Sequence, residues 1–162
     1  MSARRAGVLA ALLALGGMHA ARAQEASPLD LATYPRTELT VQAAGPPRAT
    51  HRFRVWVADT PARAAQGLMF VRDLPESEGM VFPLVPPRVE TMWMKNTYIE
   101  LDMLFVGSDG RVVKVLEHAV PLSLTTLSSE VPVAAVVELR GGAVQHLHLQ
   151  RGDRVSWEKP GS

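Results

Sequence analysis

Alternation of apolar and polar residues is clearest over residues 51–58, HRFRVWVA, where Phe53, Val55 and Val57 fall on every second position. A period of two predicts a β-strand with one face buried and the other exposed. Shorter or less regular patterns, separated by Gly, Pro and Asp residues, predict several more strands. These lie over residues 37–43, 80–85, 88–95, 100–106, 111–117, 133–140 and 154–157.

Helical signals are confined to two short segments. Thr60 suits a helix N-cap, Pro61 suits the first helical position and Gly67 suits the end, so a helix is predicted over Pro61–Gln66. Residues 143–148 fit either a short helix or a strand. Many short strands with one or two short helices indicate a mainly β fold, a compact sandwich or barrel.

The densest mixture of aromatic, Met, Lys and acidic residues lies between Glu90 and Glu117. We expect strands 88–95 and 100–106 to form a hairpin that turns near Asn96, so that opposed residues share a face. This register gives an apolar face of Met92, Met94, Leu101, Met103 and Phe105, and a second face of Thr91, Trp93, Lys95, Glu100 and Asp102.

An indole beside one ammonium and two carboxylates is a plausible binding surface. The predicted ligand-binding residues are therefore Trp93, Lys95, Asn96 and Asp102, with Glu138 as a further candidate. Each has a structural alternative, because Asn is a turn former and a carboxylate in an apolar strand is often paired with a backbone N–H or a cation. A Trp at such a position is also often partly buried structural surface.

Three functions remain open from these residues. The leading one is a non-catalytic module that binds a small polar ligand or a cell-envelope component. The second is a hydrolase of a glycoside-like envelope substrate, which requires Asp102 and Glu138 in one cleft as acid and base. The third is an accessory domain that presents an exposed apolar patch to a partner protein. Motifs for Ser nucleophiles, zinc hydrolases and phosphate-binding loops are missing from the sequence.

Met92-x-Met94 and His146-x-His148 suggest a copper site, since exported Met/His sites bind copper. The hairpin register places both Met side chains in the core, and residues two apart on a helix point away from each other. We therefore expect no metal site and no cofactor.

The N-terminus resembles an export signal. Arg4 and Arg5 precede an apolar run over residues 7–17, and Ala21-Arg22-Ala23 offers small residues where a signal peptidase cleaves. We expect a signal peptide over residues 1–23, with a membrane anchor as the alternative. Residues 24–36 are predicted to be a linker or strap, and residues 37–158 a single domain in the periplasm or outside the cell.

Charge and cysteine content limit the classes of partner and of chemistry expected for this protein. Removal of residues 1–23 takes away three Arg and no acid, which changes the formal charge from +1 to −2. A nearly neutral chain argues against a nucleic-acid partner. The absence of Cys excludes thiol catalysis and disulfides, so the core must hold the fold. We expect no transmembrane segment in the mature chain, and these patterns do not indicate an oligomeric state.

Four segments in this order also carry a family resemblance: GLMFVRDLPESEGMVF (67–82), MWMKNTYIELDMLFVGSDGRV (92–112), VVELRGG (136–142) and RGDRV (151–155). Together they resemble the family catalogued as domain of unknown function 192, over about residues 37–157. The resemblance implies a compact, mainly β, jelly-roll-like domain that is often exported and has no established activity. It also favours the helical interpretation of residues 143–148, and it assigns no catalytic residue.

Overall fold

One seven-stranded sheet forms the framework of the molecule, together with two short helices and a separate pair of very short strands. This computed structural model describes residues 27–46 and 48–158. The helices are α1 (Pro61–Gln66) and α2 (Ala143–Leu147), and a short 3-10 turn spans Leu31–Thr33. The strands are β1 (Arg36–Gln42), β2 (Thr50–Val57), β3 (Glu78–Arg88), β4 (Thr91–Met92), β5 (Leu101–Val106), β6 (Val112–Ala119), β7 (Leu127–Ser128), β8 (Val133–Arg140) and β9 (Arg154–Trp157).

The mainly β prediction is confirmed, as are the bounds of α1, β8 and β9. Thr60 caps α1, since its side chain accepts a hydrogen bond from the N–H of Arg63, and Pro61 is its first residue. In β2, Phe53, Val55 and Val57 are buried as the alternation predicts. Residues 143–147 are helical, as the family resemblance indicates.

The large sheet has the order β6-β5-β8-β3-β2-β1-β9 and curls until its two edge strands meet. A β-bridge joins Arg111 to Arg154, and the N–H of Val155 donates to the carbonyl of Gly110 at 2.8 Å. The sheet therefore closes into a barrel. Strands β2 and β3 pair in parallel, with α1 in the connection between them, and the other pairs in the sheet are antiparallel.

Alternation along the strands divides the buried residues into two cores. The interior core lies inside the barrel and receives residues from all seven strands of the large sheet; it includes Leu39, Val41, Phe53, Val55, Val81, Leu104, Val112, Val137 and Val155. The outer core lies on the other face of β3, β5 and β8; it includes Met80, Phe82, Leu84, Leu101, Met103, Phe105 and Val136. Buried Met94 covers the outer core, as does Tyr34, which follows the 3-10 turn.

The predicted hairpin between residues 88–95 and 100–106 is wrong. Strand β5 is hydrogen-bonded to β6 on one edge and to β8 on the other, so it has no edge left for residues 91–95. Instead, β4 pairs with β7, and the N–H of Met94 donates to the carbonyl of Ser123. Residues 89–100 and 120–132 thus run side by side across the outer core, and we call these two segments the ribbon.

Strand β3 is longer than the predicted residues 80–85, because it continues through Pro86 and Pro87 to Arg88. Its register against β8 shifts between Pro83 and Arg88, and such an irregularity accommodates residues that cannot donate to the ladder. This longer strand brings Arg88 beside the start of the ribbon.

The predicted signal peptide over residues 1–23 lies outside the described residues. Of the predicted linker or strap over 24–36, residues 27–36 are described, and Leu31 and Tyr34 pack against the outer core. Within the described part of the chain, no helix is long and apolar enough to cross a membrane.

Candidate functional site

The five predicted site residues do not share one surface. Trp93 and Lys95 lie together on the exposed side of the ribbon, where the Lys95 Nζ atom is 5.3 Å from the centroid of the Trp93 ring. Trp93 keeps 49% of its surface exposed. The predicted indole beside an ammonium is therefore present, but Asp102, predicted to complete that surface, is buried.

Asn96 has the structural role of a turn residue. Its backbone is in the left-handed region, with φ of 55°, which Asn tolerates better than most residues. Its carbonyl accepts the N–H of Phe70 at 2.9 Å and so ties the ribbon to the segment that follows α1.

Asp102 points into the barrel and anchors α2. Its Oδ1 accepts the N–H of His118, and its Oδ2 accepts the N–H of Val144, both at 2.9 Å. Helix α2 follows Gly142, which has no side chain to cap it, so the carboxylate on β5 supplies the missing acceptor. Asp102 is fully buried, and both of its oxygens are occupied by backbone donors.

Glu138 lies on the opposite face of the sheet from Asp102. In the pairing of β5 with β8, Asp102 stands opposite Leu139, and Met103 stands opposite Glu138. Opposed residues share a face and successive residues alternate, so Asp102 faces the interior core and Glu138 the outer core. The acid–base hydrolase requires both carboxylates in one cleft, and this requirement is not met.

Glu138 has an unusual environment for a carboxyl group. It is 4% exposed, and its buried Oε2 has no hydrogen-bond partner among the described residues. Burial raises the pKa of Glu138 to about 8, because the surroundings disfavour the charged form. Gly67 covers it: a Cβ atom at Gly67 would lie 4.0 Å from Oε2 and 3.2 Å from the Phe82 ring.

A cleft of about 410 Å³ lies between α1, β3 and the start of the ribbon. Ala64 and Ala65 of α1 form one wall, and their small side chains leave the space open. The apolar lining is Phe82, Pro83, Leu84 and Met92, and the polar and aromatic lining is Arg88, Glu90, Thr91, Trp93 and Thr126.

An ion pair lies in this cleft. The Arg88 guanidinium is 2.8 Å from Oε2 of Glu90, without the angles of a hydrogen bond, so this buried oxygen has no hydrogen-bond partner among the described residues. Glu90 is fixed by its backbone, since its N–H donates to the Ser129 hydroxyl and its carbonyl accepts the Ser129 N–H, both at 2.9 Å.

Of the residues that line this cleft, Trp93 was predicted from the sequence as a ligand-binding residue, whereas Arg88 and Glu90 were not. Spacing gave no signal for them: residues two apart in an extended segment share a side, which groups Arg88 and Glu90 with Met92 and not with Trp93. The wall formed by α1 had no signal either, because it depends on how the helix packs.

Two solved structures are similar to this fold. One is from Sinorhizobium meliloti 1021 and is described as a candidate transcription regulator; it is 40% identical, with a TM-score of 0.74, and the match covers 76% of this chain and 95% of that one. The other is a protein of unknown function from Novosphingobium aromaticivorans DSM 12444; it is 41% identical, with a TM-score of 0.72, and covers 75% and 85%.

No curated protein matches the sequence. The family model described as DUF192, Uncharacterized ACR, matches residues 42–157, which is most of the chain and includes most of both cores and all of the cleft lining. The order of its motifs, the family model and two relatives with the same fold agree: the chain belongs to the family of domain of unknown function 192.

Proposed function

We propose that this protein is an exported, non-catalytic module that binds a small polar ligand, or a component of the cell envelope, in the cleft beside Trp93. The observation that carries the proposal is the cleft itself, which combines an exposed indole, apolar side chains and the Arg88–Glu90 ion pair. Binding sites for small molecules usually combine these elements.

The lining indicates the chemistry of the ligand. A volume of about 410 Å³ suits a compound the size of a sugar or an amino acid. Trp93 offers a flat face for stacking, Glu90 can accept a hydrogen bond from a hydroxyl or amine, and Arg88 can donate one. A ligand with one apolar face and several hydroxyl or amine groups would use all three.

The positions of Asp102 and Glu138 favour binding without chemistry over hydrolysis. Asp102 has both oxygens occupied by backbone N–H groups. Glu138 lies on the other face of the sheet and is not among the residues that line the cleft. Neither group is therefore placed to act on a ligand beside Trp93.

The proposed export is the reason for proposing an envelope ligand. The basic start and apolar run of residues 1–23 have the composition of a cleaved signal peptide. We expect the protein recovered from the exported fraction of expressing cells to begin at Gln24, as N-terminal sequencing would determine. Retention of Met1 on a membrane-bound product would instead support the anchor alternative.

The assignment of the Sinorhizobium meliloti relative as a candidate transcription regulator is not extended to this chain. The formal charge after removal of residues 1–23 is −2, and a nucleic-acid-binding surface of a small domain is usually strongly basic.

The test is a thermal-shift screen of protein purified from expression of the full-length sequence. The panel contains sugars, peptidoglycan fragments, organic acids, amino acids and divalent metals including copper. A ligand that binds only the folded state raises the melting midpoint by mass action. We expect a shift with a sugar or amino-acid compound that Trp93→Ala and Glu90→Gln abolish.

The matched control is Tyr98→Ala, which removes another exposed aromatic residue of the ribbon that does not line the cleft. This variant should keep the full shift. The same loss of shift in Tyr98→Ala and Trp93→Ala, or no shift across the panel, would contradict the proposal.

A partner-protein surface is the second candidate, and the outer side of the ribbon favours it. Val120, Leu122 and Leu124 are 66%, 56% and 68% exposed, and such neighbouring apolar side chains often mark an interface. Crosslinking in envelope extracts tests it. Capture of one protein that Leu122→Ser and Leu124→Ser abolish, and Trp93→Ala leaves intact, would favour this function.

A further inference from the structure

A row of polar side chains crosses the outside of the barrel where the sheet closes. Thr50 pairs with Gln42, Gln42 pairs with Arg154, and Arg154 is bridged to Arg111. Opposed residues of neighbouring antiparallel strands share a face. The next residues along the strands, Val41, Val155 and Val112, are buried in the interior core, so the four polar residues face outward.

A third arginine joins this row. Arg48, from the turn between β1 and β2, lines the same cleft of about 320 Å³ as Gln42, Thr50, Arg111 and Arg154. The rest of the lining is alanine, so three guanidinium groups, one amide and one hydroxyl supply the polar chemistry, and no carboxylate takes part.

Two like charges directly opposite each other in a sheet destabilise it, so Arg111 opposite Arg154 has a cost for folding. Other arginines of the barrel are neutralised: Arg52 lies 3.0 Å from Glu38, and Arg54 lies 2.9 Å from Glu78. Among the described residues, neither Arg48 nor Arg154 has a carboxylate within 4.0 Å.

The acidic residues nearest in sequence to this cleft neutralise it only in part. Asp109 forms a long ion pair with Arg111, at 3.9 Å. Asp153, which precedes Arg154, is fully buried, and its two oxygens accept the N–H groups of Ala44 and Gln150. The positive charge of the row is therefore available to an anion from solution.

The row is also partly fixed in place before any ligand arrives. One terminal nitrogen of Arg111 donates to the carbonyl of Gly152 at 2.9 Å, and the backbone N–H of Arg111 donates to Asp109 Oδ1 at 3.0 Å. Gln42, Thr50 and Arg154 lie within paired strands. Groups that are already ordered lose less conformational freedom when they bind a ligand.

We propose that this cleft, formed by Arg48, Arg111 and Arg154 with Gln42 and Thr50, is a binding site for a phosphate group. Guanidinium groups bind phosphate oxygens through paired hydrogen bonds, and a doubly or triply charged phosphate matches three cations better than a single carboxylate does. The site shares no lining residue with the cleft beside Trp93, so it is independent of the proposed function.

Two kinds of ligand present such a phosphate group: a free phosphate compound and the headgroup of an anionic lipid. The first arm of the test is isothermal titration of pyrophosphate into the full-length protein at low ionic strength, where exposed charges are least screened. We expect binding that falls about tenfold or more in Arg111→Gln and in Arg154→Gln, since each loses charge-assisted hydrogen bonds.

The matched control is Arg52→Gln, which removes the same charge from an exposed arginine on neighbouring β2. It should leave pyrophosphate binding unchanged. Arg154→Lys keeps the charge but loses the paired donors, so its affinity should lie between those of wild type and Arg154→Gln. Melting midpoints of Arg154→Gln and Arg154→Lys should be no lower than that of wild type, because these substitutions relieve the repulsion between Arg111 and Arg154 or leave it unchanged.

The second arm measures sedimentation with phosphatidylglycerol vesicles against phosphatidylcholine vesicles. Binding of pyrophosphate alone, or of phosphatidylglycerol alone, supports the phosphate site and names its source, provided that Arg111→Gln weakens it. Absence of binding in both arms, an equal loss in Arg52→Gln, or tighter binding of citrate than of pyrophosphate would overturn the proposal.

Discussion

Each face of the sheet buries one of the two carboxyl groups predicted as site residues, and the two groups differ in the hydrogen-bond donors that surround them. Inside the barrel, Asp102 accepts hydrogen bonds from two backbone N–H groups. On the outer face, Glu138 lies among apolar side chains, and its Oε2 has no partner among the described residues. The first group anchors a helix, whereas burial of the second destabilises the fold because no hydrogen bond to Oε2 compensates for the loss of water.

The comparison shows that burial alone does not reveal what a carboxylate does. Asp153, also fully buried, follows the pattern of Asp102, because its two oxygens accept the N–H groups of Ala44 and Gln150. These two aspartates replace the water they lose with fixed donors. Glu138 has no such donor at Oε2, and because burial raises its pKa to about 8, the carboxyl group holds its proton at neutral pH.

The largest effect should follow from removal of Asp102. Asp102→Ala leaves the N–H groups of His118 and Val144 without acceptors, and α2 loses its only side-chain cap within the described residues. We expect the free energy of unfolding to fall by about 3–5 kcal/mol, measured by urea denaturation. Asp102→Asn, which keeps one acceptor oxygen, should lose less. A loss below about 1 kcal/mol would show that the hydrogen bonds to Asp102 contribute little, and that Asp102 does not stabilise the fold more than Glu138 does.

The next effect is a pH dependence that belongs to Glu138. The pKa of Glu138 is about 8 in the folded protein against an ordinary value of 4.5, so between these pH values the folded state holds a proton that the unfolded state has released. The free energy of unfolding should therefore fall as pH rises through this window, by at most about 1.4 kcal/mol per pH unit, and this contribution should be constant on either side of it.

Glu138→Gln should abolish that slope, because the amide does not titrate. The measurement is urea denaturation of wild type and variant at intervals from pH 5 to pH 9. Comparing the two proteins removes the contribution of other titrating groups. Identical pH profiles for wild type and Glu138→Gln would mean that the carboxyl of Glu138 reaches a partner or water in solution.

A smaller effect is expected at Gly67, which covers Glu138. Its φ of 53° and ψ of −136° lie in a region that side chains disfavour, and an added Cβ would press on the Phe82 ring at 3.2 Å. Gly67→Ala should destabilise the protein by about 1–3 kcal/mol in the same denaturation assay. Gly45→Ala is the control, since its added Cβ meets only a Gln150 side chain at 3.8 Å. Equal effects at both positions would contradict a strained cover over Glu138.

The smallest effect concerns His118. Its backbone N–H donates to Asp102, and its ring Nδ1 lies 3.2 Å from Oε2 of Glu100. The hydrogen bond to Glu100 raises the pKa of His118 above 6.5. The stabilisation from this pair is complete below pH 6.5 and disappears as pH rises through the raised pKa. An NMR titration should show that Glu100→Gln lowers the pKa of His118. An unchanged value would assign the shift to the charge of Asp102 instead.

Much of the fold is predictable because local chemistry determines it. The cap at Thr60, Pro61 at the first helical position and the alternation in residues 51–58 act within a few residues of each other. The hairpin prediction failed because strand pairing is decided by distant partners: β8, far along the chain, occupies the edge of β5 that residues 91–95 would need.

The candidate site was predictable only in part, for the same reason. Trp93 stands out by its chemistry, whereas Arg88 and Glu90 matter only because α1 and the ribbon form a cleft around them. Asp102 and Glu138 look alike in sequence, each a single carboxylate in an apolar strand. Only the register between β5 and β8 separates their faces, and a shift of one residue on either strand would reverse the result.

Closure of the barrel at Arg111 and Arg154 also bears on aggregation. An open sheet would present β6 and β9 as two rows of unpaired backbone groups, ready to add a strand from another molecule. Here Val112, Gly152 and Val155 use backbone N–H groups to join these edges within one chain. A protein that has no Cys, and therefore no disulfides, thereby hides its own template for intermolecular association.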